Sequence, residues 1–150
     1  VKYNLADIPL PNGVLRVDKV TVPSPTTIRL GHYALPEIGG KPITKKILGN
    51  NTTVISNGEH QLTMIPLAGW PKPSFIQTSG LHPVSKQAGL LVCEKKVEKE
   101  NVMVTLMLWK KGKKAFTKKE LNPVKSVKIA EDNSSVTITM SDGSVKEVTF

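Results

Sequence analysis

Residues 126–150 read SVKIAEDNSSVTITMSDGSVKEVTF. Three β-branched runs, Ser126–Ala130, Ser135–Met140 and Val145–Phe150, are separated by Glu131-Asp-Asn133 and Ser141-Asp-Gly143. Alternating apolar and polar residues between turn formers specify strands joined as a meander. Burial tests the register. A two-residue Asp142-Gly143 loop would set Ile138 opposite Glu147. A three-residue loop with Gly143 in the left-handed conformation sets Val136 opposite Val148. That register aligns Val136, Ile138, Met140, Val148 and Phe150 on one face, and it is the one expected.

Working back from this meander, the same pattern recurs. Val102–Trp109 places Val102, Val104, Leu106 and Leu108 on one side and Met103, Met107 and Trp109 on the other. A strand apolar on both faces belongs at the centre of a sheet. Leu90–Val97, His60–Leu67, Asn50–Ser56, Thr27–Leu35 and Val14–Val22 read as further strands, with Asn57-Gly58 as a strong hairpin signal. Thr117-x-x-Glu120 has the form of a capping box around one helical turn. Val1–Gly13 reads as an extended lead-in, and residues 14–150 as one domain. The fold class expected is all-β, an antiparallel β-sandwich of about eight to ten short strands ending in the three-strand meander.

Composition narrows the function. The chain has 150 residues and a formal net charge of +9, with 21 Lys and Arg against 12 Asp and Glu. Arg16 and Arg29 are the only arginines. Arginine supplies the planar fork that grips phosphate and guanine edges, so a charge carried by lysine disfavours a dedicated nucleic-acid binder. Residues 86–128 hold twelve Lys and four Glu, a net of +8. Such a segment either attracts an acidic polymer or guards exposed strand ends. Aromatic residues are too sparse there for a base-stacking platform. No apolar run approaches the roughly 20 residues that span a bilayer.

Chemical motifs are few. Cys93, the sole cysteine, sits in an apolar run and reads as a small buried hydrophobe. His32, His60 and His82 lack metal-ligand spacing, so no metal or cofactor is expected. Neither a Gly-x-Ser-x-Gly elbow nor a phosphate-binding loop is present, and Glu37, Glu59 and Glu94 are carboxylate candidates only by elimination. No catalytic residue is assigned. The ligand-binding candidates are Trp70, Tyr33, Arg29, His32 and His82. Trp70 stands in a Gly-Trp-Pro-Lys-Pro loop, stiffened by proline in the manner of a sugar-stacking tryptophan, with Tyr33 or Phe75 as partner; alternatively it plugs the end of the sandwich. Arg29, His32, Tyr33 and Glu37 gather near one strand end, where they either cradle an acidic or sugar hydroxyl group or are ordinary residues, Arg29 and Tyr33 on the outer face and His32 hydrogen-bonded at the edge.

Thr27–Pro36 (TIRLGHYALP), Leu81–Ser85 (LHPVS) and Val104–Lys111 (VTLMLWKK) resemble the C-terminal β-sandwich domain of exported bacterial polysaccharide-processing proteins, the heparinase-like lyases in which a helical toroid precedes a sandwich. The resemblance implies a non-catalytic accessory module, exported to the periplasm or cell surface. Its implied partners are a preceding catalytic or helical domain and an acidic polysaccharide. It carries over no catalytic residue. The alternatives are a stand-alone lyase or hydrolase using His32 or His82 as base, and a basic nucleic-acid-binding domain built on residues 86–128.

Overall fold

The computed structural model describes residues 1–34, 37–38, 41–42, 44–48, 52–71, 74–77 and 89–150. Their order is β1 (Lys2–Leu10), β2 (Gly13–Thr21), β3 (Thr26–Ala34), β4 (Glu37–Ile38), β5 (Lys41–Pro42), β6 (Thr44–Ile47), β7 (Thr53–Ser56), β8 (His60–Ala68), β9 (Ser74–Gln77), β10 (Gly89–Val97), β11 (Glu100–Lys111), α1 (Lys118–Leu121), β12 (Val124–Ile129), β13 (Ser135–Met140) and β14 (Val145–Thr149). The main sheet runs β1-β2-β11-β8-β7-β6, and two three-stranded sheets, β3-β10-β9 and β12-β13-β14, accompany it. The fold is an antiparallel β-sandwich. Its described strands outnumber the eight to ten expected because the lead-in pairs and because β4, β5 and β9 are two- to four-residue pairings within Gly- and Pro-rich connections.

Of residues 1–13, expected as an extended lead-in, Lys2–Leu10 form a strand and Pro11 and Asn12 a turn. Lys2 to Leu10 pair along the whole of β2. The physical reason is the neighbour: β2 offers an unbroken nine-residue edge, and leaving it unpaired would expose a row of backbone donors and acceptors.

The meander has the register that burial selected. Val136 pairs with Val148, and Gly143 takes φ +87° in the turn. Val136 and Ile138 are fully buried, and Met140 nearly so. They close over one face of the main sheet, where Leu15, Val17, Val104, Leu106 and Leu108 complete a single apolar cluster. β11 lies between β2 and β8, and Val102 to Leu108 are buried on both faces. Trp109, at the end of that run, is half exposed.

The Thr117 capping box forms in full. The Glu120 backbone N–H donates to Thr117 Oγ1 (3.2 Å), and the Thr117 N–H donates to Glu120 Oε2 (2.6 Å). Lys110 donates to the other carboxylate oxygen (2.7 Å), and these bonds, that from Lys110 foremost, push the Glu120 carboxyl down to about 2. The end of β11 is thereby tied to α1.

Candidate functional site

The second face of the main sheet is covered differently. Alternation puts Tyr3, Val20, Asp18 and Met103 on it, because Tyr3 pairs with Val20 and Asp18 with Met103. Ile28 and Val97 from the β3-β10 pair pack on Val20, Val22 and Met103, and Trp70 joins them. The result is a pocket of about 310 Å³ lined by Val1, Tyr3, Asp18, Val20, Ile28, Arg29, Trp70 and Met103.

Trp70 is placed by the residue before it. Gly69 has φ +76°, and a Cβ there would stand 2.1 Å from the Val102 carbonyl oxygen. Only glycine lets the chain turn so close to β11. Lys95 Nζ donates to the Gly69 carbonyl (2.7 Å) and to Asn101 Oδ1 (2.8 Å), which clamps the turn against β10 and β11. The indole packs against the cluster that holds Met103 and against Met64 and Met107.

Asp18 is the least expected member. It is only 2 % exposed, yet it carries a carboxylate. The Tyr3 hydroxyl donates to its Oδ1, while Oδ2 is buried with no partner among the described residues. Trp70 Nε1 is likewise buried and unpartnered there. Burial holds the Asp18 carboxyl above the usual carboxylate range, against the opposing pull of the Tyr3 hydrogen bond and of Arg16. Tyr3 has an exposed ring but an inward hydroxyl, and burial followed by its bond to Asp18 raises its pKa. Arg16 itself is engaged by Asp7, at 2.9 and 3.0 Å, and that bond lowers the Asp7 carboxyl.

The Asp18 shift has a consequence for stability. Native Asp18 holds its proton more tightly than the unfolded chain does, so folding loses stability as pH rises through the native pKa. Asp18→Asn removes that loss. In denaturant titrations the variant is expected to gain on the native chain from about pH 4 upward, the ordinary aspartate range, and to show little advantage below it. A gap independent of pH would refute the charged, buried assignment.

Of the residues that the sequence singled out, the pocket gathers Trp70 and Arg29. Arg29 Nη2 is bonded to Glu94 Oε1 at the rim. His32 and Tyr33 lie farther along β3, opposite Leu91 and Leu90, with side chains outside the described set. His82 and the rest of its loop lie outside the described residues, as do the side chains of Phe75 and Cys93. Trp70 is half-buried, packs on the apolar cluster of Val20, Val22, Val97 and Met103, and lines the pocket. Asp18 and Tyr3 were missed. The available signal was the single acid inside the strand-forming run Val14–Val22.

A larger cleft, about 630 Å³, opens beside Ile65, Phe116, Leu121 and Val124. None of its lining residues carries a buried, unpartnered polar atom among the described residues, so it lacks the recognition chemistry of the first pocket. No group of His, Cys, Asp and Glu suited to a metal ion occurs among the described residues. No described helix is long and apolar enough to cross a membrane.

No protein-family model and no curated protein matches the sequence. Solved structures do match. A heparinase III gene product with methylated lysines aligns over 93 % of this chain and 22 % of its own, at 10 % identity and a TM-score of 0.52. Heparan sulfate lyase from Pedobacter heparinus, in native and mutant forms, aligns over 93 % of this chain and 22 % of its own, at 17 % identity and a TM-score of 0.48. The chain thus spans about a fifth of the length of these proteins. At such identity the likeness concerns fold: this chain is a β-sandwich of the kind found as one part of heparinase III.

Proposed function

We propose that this chain is a non-catalytic accessory β-sandwich module of a larger, exported bacterial carbohydrate-active protein, where it supports a neighbouring domain and contacts an acidic polysaccharide. The observation that carries this reading is the pocket that brings Trp70 and Arg29 together beside Tyr3 and Asp18. An aromatic wall with a few convergent polar groups suits a sugar better than it suits a reaction. A tyrosine serving as a base would need a depressed pKa, whereas Asp18 helps to raise that of Tyr3. The likeness in fold to one part of heparinase III supports placement within a longer protein.

Lysines at the Gly112 turn and on α1 would add long-range attraction for an acidic chain. The test is calorimetric titration of the purified chain with a heparin-like glycan and with single-stranded DNA, at low and high salt. Saturable glycan binding that weakens at least tenfold in Trp70→Ala is expected. Equal, wholly salt-suppressed binding of both polymers would reduce the lysines to a generic charged surface and overturn the proposal.

A further inference from the structure

Two residues of the pocket lining carry polar atoms of opposite demand. Asp18 Oδ2 accepts, Trp70 Nε1 donates, and both are buried and unpartnered among the described residues. Leaving either so carries a desolvation penalty that a ligand of suitable chemistry would recover. An ammonium offers donors alone. A carboxylate or sulfate offers acceptors alone and meets the Asp18 charge; Arg29, the one cationic side chain among the described lining residues, is already held by Glu94. A hydroxyl or an amide does both. The remaining walls, Val20, Ile28 and Met103 with the Tyr3 ring, are apolar and match the C–H face of a pyranose.

We propose that this pocket is a subsite for one uncharged sugar unit, whose hydroxyl or acetamido group donates to Asp18 Oδ2 and accepts from Trp70 Nε1. The Tyr3 hydroxyl fixes the carboxylate by engaging Oδ1, leaving Oδ2 for the ligand. Tyr3 is 54 % exposed, so its ring stands at the outer edge of the pocket. The subsite deepens the accessory-module reading and rests on it, but its selectivity runs opposite to that of the lysines: the acidic parts of a glycan are attracted elsewhere, and an uncharged unit is held here.

The experiment titrates the full chain with neutral oligosaccharides, one series of glucose and one of N-acetylglucosamine, and with an oligogalacturonate, at two salt concentrations. The two neutral series separate a hydroxyl ligand from an acetamido one. Binding of a neutral series, insensitive to salt and weakened at least tenfold in both Asp18→Leu and Trp70→Phe, is expected. Trp70→Phe keeps the apolar wall and removes only the donor. Thermal melts confirm folding, and Asp18→Asn replaces the leucine variant should that fail to fold. Binding of the oligogalacturonate alone, binding unaffected by these variants, or no binding of either neutral series would overturn the subsite. Heparin-like glycan binding that persists with any of those results would leave the accessory-module reading standing, so the two failures are separable.

Discussion

Leu106→Ala is expected to lower the unfolding free energy by about 2–5 kcal/mol in a urea titration. Leu106 is fully buried at the middle of β11, paired with Leu15 on β2 and Ile65 on β8. It belongs to the cluster that Val136, Ile138 and Met140 close from the meander. Truncation leaves a cavity bounded by two sheets, and neither can collapse into it without breaking its own ladder. Trp109→Ala on the same strand is the comparison. Its side chain is half exposed, so a much smaller loss, about 1 kcal/mol or less, is expected. Similar losses for the two variants would mean that the meander does not seal this face in solution.

Gly69→Ala is expected to cost a comparable amount and, unlike the core variant, to abolish the pocket. The left-handed backbone contributes about 1–2 kcal/mol of strain for any residue with a Cβ. Contact with the Val102 carbonyl at 2.1 Å and the Met103 Cα at 2.9 Å adds an overpacking penalty of about 1–3 kcal/mol. Both atoms are backbone of the central strand, so the turn must move instead, and Trp70 moves with it. A Trp109→Phe background leaves Trp70 as the sole indole, and its fluorescence is expected to shift to the red as it leaves the methionines. Gly143→Ala is the control. It shares the left-handed backbone but has open space around it, so strain alone should appear. Equal effects at the two glycines, with Trp70 emission unchanged, would show that the tight approach to β11 is not what places the indole.

The loop that carries Trp70 shows where sequence stops being legible. Its glycine, tryptophan and prolines announce a stiff turn, because those residue types restrict the backbone wherever they stand. What the indole would meet depends on β11 passing beneath it, some thirty residues later in the chain. Tyr33 and Phe75, offered as its partners, were chosen by proximity in sequence. Met103, Val20 and Tyr3 are its neighbours in the pocket because sheet pairing brought them there. Asp18 was passed over for a related reason. An acid on an uncovered sheet face meets water, and Asp18 is interior only because Tyr3 of β1 and Met103 of β11 flank it and residues of β3 and β10 cover that face.

Local residue patterns specify the main strands beyond residue 13, the central place of β11, the capped turn at Thr117 and the register of the closing meander. Each follows from local rules: side chains alternate every two residues, glycine alone turns freely to the left, and a threonine can satisfy the N–H three residues on. Tertiary structure alone decided that residues 2–10 form a strand, that Asp18 is buried, and that Trp70 and Arg29 share one pocket. Those outcomes depend on pairing between distant segments, whose energy resides in contacts that no window of neighbouring residues contains.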